Sequence, residues 1–235
     1  MNPRTLLTEL FPLGHEVRFE AEFFAGAART AVGPVHVIGT VNEVLIGVEL
    51  AHRLAAETLA VVQAHPGRPL VLMVDTNGQR PGRRDELLGI DGYLALIAKC
   101  LHFARLRGHP IVSLVYGLAV SGGFLATNLC ADACFALPDT EIQVMNLPAM
   151  ARITKIDLDR LRTLSRTSPV FAPGAENYVR MGAIEAVWTD TAAERLVAAL
   201  KDLVADDHRR RRDGAARAGR LCAEPVSARV CHDAS

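Results

Sequence analysis

Two glycine-bearing segments, TNGQRPG at 76–82 and GLAVSGG at 117–123, are the stretches of this chain whose residue types and setting could do chemistry. Each follows a short apolar run, LVLMVD at 70–75 and IVSLVY at 111–116, and each leads into a helical stretch. Parallel strands ending in such loops aim backbone N–H groups at one side of a sheet. A crevice lined by such groups suits an anion, and the anion expected here is a thioester enolate held by one N–H from each loop. Two donors must then lie about 2.7–3.1 Å from one point, and losing one typically costs about 3 kcal/mol of barrier. Ser121, Gly122 and Gly123 lead directly into a helix, so their amides stand at the positive end of its dipole. A single glycine loop is explained by turn geometry alone; two on successive strands of one sheet favour a site.

Polar side chains close to these loops are Asn77, Gln79, Arg80 and Tyr93, the candidate substrate-binding residues. Asn77 is expected to hold its turn by bonding its own backbone. Tyr93 sits on the apolar side of its helix, where a core role competes with a polar one. Arg80 and Arg83–Arg84 either form a solvated surface with Asp85 and Glu86 or grip a carboxylate or phosphate. Ser121 as a nucleophile would need a base oriented by a third group. The only histidines beyond it are His208 and His232, both near the C-terminus, so hydrolysis by Ser121 is not expected.

The elements that must position these loops follow from periodicity. Val17, Phe19, Ala21 and Phe23 alternate with polar residues and predict a strand, and 35–41 (VHVIGTV) predicts another. Residues 1–14 read as a loosely held lead-in. A helix is expected over 47–64, stopped by His65-Pro66-Gly67, and another over 86–107. Further strands are expected at 131–137 and 141–145, a loop at 146–156, a helix at 157–167 and a turn at 168–174. A short helix at 175–181, an extended piece at 187–188 and a helix from Thr191 through Asp206 complete the body. Alternation of strands and helices predicts βαβ crossovers, an α/β fold with a largely parallel sheet flanked by helices. Residues 1–206 then form a single domain, and the Arg- and Ala-rich 207–235 a mobile tail. The four arginines at 209–212 read as solvated, with an acidic carrier surface or a phosphate as the other reading.

The 235 residues are 50% hydrophobic and 22% charged, with 26 basic against 26 acidic side chains. That balance gives no overall field toward nucleic acid or anionic lipid. No secretory signal or membrane-length apolar run is read from the chain, so a cytoplasmic location is expected. The five cysteines lack metal-ligand spacing, and no metal is expected.

The segments VDTNGQRPG, IVSLVYGLAVSGGFLA and ADACFALPDTEIQVMNLPAMARI, with a long helix after the first, resemble the crotonase-like carboxyltransferases that act on acyl thioesters. Within them the chain looks most like malonate decarboxylase gamma subunits, over roughly 35–187. The resemblance implies the crotonase-like (ClpP/crotonase) ββα superhelix. It also implies oxyanion donors at Gly82 and in the Ser121–Gly122–Gly123 group, at the amide of Gly122 or Gly123. A homologous beta subunit would share the active site. The substrate would be a malonyl group on the phosphopantetheine-like arm of an acyl carrier subunit, decarboxylated to acetyl-carrier and CO2, with no cofactor bound by this chain itself. Two alternatives stay open: an alpha-type subunit of a biotin-dependent acyl-CoA carboxyltransferase, and a non-catalytic scaffold subunit. Asn77-Gly78 stands where these carboxyltransferases often have Pro-Gly, and nothing here resembles a biotin attachment site. GLAVSGG also looks like the nucleophile loop of Clp-type serine proteases, but QVMNLP at 143–148 lacks their histidine.

Overall fold

The computed structural model describes residues 1–166, 168, 172–201, 203–217 and 221–233. The chain opens with helix α1 (Pro3–Leu10), then β1 (His15–Glu20), β2 (Phe23–Thr30), β3 (Gly33–Thr40) and β4 (Val44–Ile46). Helix α2 (Val48–Ala64) leads to β5 (Leu70–Gln79), α3 (Arg83–Leu87), α4 (Ile90–Leu106), β6 (Ile111–Val120) and α5 (Ser121–Thr127). There follow β7 (Ala133–Ala136), β8 (Glu141–Gln143), α6 (Leu147–Thr154), α7 (Leu158–Leu164), α8 (Ala175–Arg180), β9 (Ala186–Val187) and α9 (Ala192–Lys201). Two further helices, α10 (Asp207–Ala216) and α11 (Ala223–Asp233), lie beyond.

The strands join in one sheet of order β1-β2-β3-β5-β6-β7-β9, with β4 on β5 and β8 on β6. β1, β2 and β3 form an antiparallel meander, and every later pairing is parallel. Side-chain alternation sends Val71 and Met73 to one face, where they meet Leu6, Leu7, Leu10 and Phe11 with Leu196 and Leu200 of α9. Leu70 and Leu72 face the other side, under Leu50, Leu54, Ile97 and Leu101 of α2 and α4. A third cluster gathers Val115, Ala119, Phe124, Ile142 and Tyr178 beneath α5 and α8.

The structure corrects several sequence expectations. The lead-in is a helix: Asn2 accepts the Arg4 N–H at 2.9 Å, Pro3 occupies the first turn, and Leu6, Leu7 and Leu10 are buried. The loop expected at 146–156 is α6, capped the same way by Asn146, whose side chain accepts the Ala149 N–H at 2.8 Å, with Pro148 in its first turn. The long helix after the first glycine segment is two, because Gly89 takes φ 77 between α3 and α4. Both glycine segments are partly strand, since β5 runs to Gln79 and β6 to Val120. The proline turn read at 168–174 falls in part on residues outside those described, as do Thr167 and Asp202 of the expected helices. Of the arginine run, Arg209 pairs with Asp213 and Arg210 reaches the Leu129 carbonyl. Arg217 bonds the Gly182 carbonyl and Glu185, at 2.9 and 2.7 Å. Among the described residues no helix is long and apolar enough to cross a membrane, and no group of three or more His, Cys, Asp or Glu residues could hold a metal ion.

One buried ion pair ties the helical layer to the sheet. Arg105 of α4 donates to Asp132 at 2.6 Å with both side chains 3% exposed, and the other Asp132 oxygen accepts the Ile111 N–H at the start of β6. Breaking such a pair strands a buried carboxylate. Arg105→Ala is expected to lower stability by about 3–5 kcal/mol, read as a fall in the urea midpoint at unchanged slope.

Candidate active site

β5 and β6 each change neighbours halfway along. β5 pairs with β3 from Leu70 to Met73 and with β4 at Thr76 and Gln79, while β6 pairs with β7 over 112–115 and with β8 over 118–120. Between the pairs Val74↔Val115 and Thr76↔Ala119 lie one residue of β5, Asp75, and three of β6, Tyr116, Gly117 and Leu118. Beyond this bulge the two strand ends run on together between β4 and β8, and the candidate site forms where they stop.

There the end of β5 packs directly on the start of α5. Ser121 turns the chain with φ 52, a left-handed conformation uncommon outside glycine and costing about 1 kcal/mol or more. Gly122 donates its N–H to Gln79 Oε1 at 3.1 Å. Gly123 is buried, and a Cβ there would lie 3.0 Å from Gly78 Cα and 3.1 Å from Ile46 Cδ1. Gly78 takes φ 88, and a Cβ on it would lie 3.0 Å from the Val120 carbonyl oxygen and 3.2 Å from Ser121 Cβ. Close approach and backbone conformation both require glycine at 78. The Gly78 N–H is held at 3.1 Å by the hydroxyl of Thr76, which donates to the Val44 carbonyl at 2.6 Å. The local turn bond expected of Asn77 is thus made by Thr76, and Asn77 is exposed.

Of the predicted site residues, the structure brings Gln79, Ser121, Gly122 and Gly123 together and adds Gly78. Gly82 heads α3, with Asp85 and Arg80 as the nearest side chains to a Cβ built on it. Arg80 runs beside Gly47, toward the Leu45 carbonyl at 3.5 Å and Glu22 at 3.8 Å. Asp85 is not a solvated counterion: it is buried and caps α2 by accepting the Val48 N–H at 2.9 Å. Arg84 pairs instead with Glu49. Tyr93 is half-buried and packs against the core under α2 and α4. Asn146, in the stretch where a serine protease of this fold would carry its histidine, has its side chain committed to the α6 cap.

Sequence reasoning missed the group that sets the bulge. Asp75 accepts the Leu118 N–H at 3.0 Å on one oxygen and the Glu43 N–H at 3.1 Å on the other. Thr40 accepts the Asp75 N–H at 3.1 Å, and the Tyr116 hydroxyl donates to the Thr40 carbonyl at 2.5 Å. Burial first, and the Asp75 charge second, push the Tyr116 phenol well above its ordinary pKa, so it remains a neutral donor. The available signal was an acid closing an otherwise apolar strand.

Comparison with known proteins places the fold and the family. The family model of the malonate decarboxylase gamma subunit, MdcE, matches residues 41–234. The malonyl-S-ACP:biotin-protein carboxyltransferase MADD of Malonomonas rubra is 37% identical over 150 residues, 60% of this chain and 51% of that protein. The chain therefore spans about half the length of that relative. A Pseudomonas malonate decarboxylase hetero-tetramer in complex with coenzyme A contains a similar chain at 27% identity and TM-score 0.75, covering 97% of this chain and 95% of that one. The Pseudomonas MdcD-MdcE hetero-dimer aligns at 27% identity and TM-score 0.74, covering 94% and 97%. The architecture is crotonase-like, as the glycine segments implied, and the chain belongs to the malonate decarboxylase gamma subunit family.

Proposed function

We propose that this chain pairs with a homologous beta subunit, in the cytoplasm, to decarboxylate a malonyl thioester to acetyl thioester and CO2. The substrate hangs on the phosphopantetheine-like arm of an acyl carrier subunit, and this chain binds no cofactor of its own. Residues 1–206 are the catalytic domain and 207–235 an appended tail. The reaction breaks the bond to the carboxylate carbon, moves its electrons onto the thioester as an enolate, and ends with a proton delivered to carbon. The barrier falls when the thioester oxygen, which becomes the enolate oxygen, is held by fixed N–H donors.

The observation that carries this reading is that the Gly122 N–H already holds a carbonyl oxygen, that of Gln79, at 3.1 Å. A thioester oxygen taking that place would meet the same donor. Gly82 is the second donor by its place in the motif, and Ser121 and Gly123 set the turn. Asn77, Gln79, Arg80 and Tyr93 remain the candidates for contact with the malonyl group or its carrier. The name of the Malonomonas relative favours a second reading, in which the carboxyl group passes to a biotin protein. Avidin-sensitive turnover would select it; avidin-insensitive release of CO2 selects decarboxylation.

Gly122→Pro removes the donor at a first-turn position that tolerates proline. Gly122 suits the test better than Gly123, since a Cβ there meets the ends of Gln79 and Leu94, whereas at Gly123 it meets backbone. With circular dichroism and co-elution with the beta subunit unchanged, kcat on malonyl-carrier is expected to fall about 10²–10³-fold. Turnover near wild type would make this chain a scaffold. Gln79→Ala removes the competing acceptor, worth about 1 kcal/mol, and is expected to lower KM by up to about fivefold. A raised KM would instead place Gln79 in contact with substrate.

A further inference from the structure

We propose that Asp75 is the positioning residue of this site, its carboxylate fixing the offset between β5 and β6 that brings Gln79 and Gly122 together. The inference rests on the reading of Gly122 as an oxyanion donor. Asp75 is the single β5 residue that faces three of β6 where the ladder lapses. Its two oxygens accept one N–H from each side of β5: Leu118 within the excess on β6, and Glu43 in the turn into β4. That turn is itself unusual, with Asn42 and Glu43 at φ 60 and 50. A Cβ at Gly117 would lie 2.4 Å from Asp75 Oδ1, so the carboxylate occupies the space a side chain at 117 would need.

The clasp sits close to the reacting end. Gln79 lies four residues beyond Asp75, and Gly122 four beyond Leu118. These two short arms meet in the Gly122 to Gln79 hydrogen bond, so an altered offset at Asp75 is delivered to the donor. A carboxylate can accept from β6 and from the turn into β4 at once with charge-assisted strength. An amide cannot: its NH2 would face one of the two N–H groups, leaving buried donors opposed.

Asp75→Asn and Gly117→Ala test this from opposite sides of the contact, each assembled with the beta subunit and assayed on malonyl-carrier. Both are expected to lower kcat about 30–100-fold, the penalty for misplacing a reacting group by about 1 Å. KM should stay within about twofold, and the double variant should lose no more than the worse single one, because both disrupt one interaction. If both variants keep kcat within about threefold of wild type while Gly122→Pro loses about 10²-fold, the role of Asp75 is overturned and the oxyanion reading stands. If Gly122→Pro also retains activity, the oxyanion reading fails and takes this inference with it. Multiplying losses in the double variant, or failure of both single variants to assemble, assign the clasp to general folding and overturn the proposal.

Discussion

A parallel ladder, left to itself, keeps each strand beside the same neighbours from end to end. In this chain β5 begins beside β3 and ends beside β4, and β6 begins beside β7 and ends beside β8. Both exchanges happen at one level, where a single residue of β5 spans three of β6. Interrupting a buried ladder leaves peptide groups to be satisfied in a region without water, at about 1–3 kcal/mol for each one unmet. Asp75, Thr40 and Tyr116 meet that demand with side-chain acceptors and donors, and the strands can change neighbours without stranding their polar groups.

The first halves of β5 and β6 give the strand ends a fixed base. Val71 and Met73 on one face and Leu70 and Leu72 on the other are covered by helices, so β5 enters the bulge buried on both sides. Past the bulge, Thr76 remains fully buried and holds both the Val44 carbonyl and the Gly78 N–H. Gly78 can then lie against Gly123 at a distance that excludes any side chain between them. Ile46 packs against Gly123 and Phe124 is buried in the third cluster, so the α5 start is held by packing as well as by its turn.

How far the amino-acid sequence discloses this depends on whether a feature is local. β5 and β6 were legible because runs such as LVLMV, apolar at every position, and IVSLV, apolar but for Ser113, mark strands covered on both faces. The Phe23–Thr30 strand was not, because its buried residues fall on both sides and FFAGAART shows no period of two. α1 and α6 were read as lead-in and loop, although Asn2-Pro3 and Asn146 with Pro148 spell their caps. Thr76–Gln79 looks like a turn by composition and becomes strand through Ala119 of β6 and through β4, which itself carries too few residues to register. The glycines of the site were visible as glycines. The partnership of Gly122 with Gln79 joins positions 43 apart and leaves no pattern in either segment.

That partnership bears on how the site would discriminate. Gln79 presents a neutral carbonyl oxygen to Gly122, and a thioester oxygen displacing it is also neutral, so the exchange changes little in the ground state. In the proposed reaction the same oxygen would gain negative charge as the carboxylate leaves, and a hydrogen bond to an anion is roughly twice as strong as a neutral one. On the proposed reading the donor would therefore gain on the transition state what it does not gain on the bound substrate, the condition under which an interaction raises kcat and not affinity alone. A vacant, solvated donor would bind any carbonyl, substrate and product alike. One already satisfied by its own side chain favours an oxygen in proportion to the charge that builds on it.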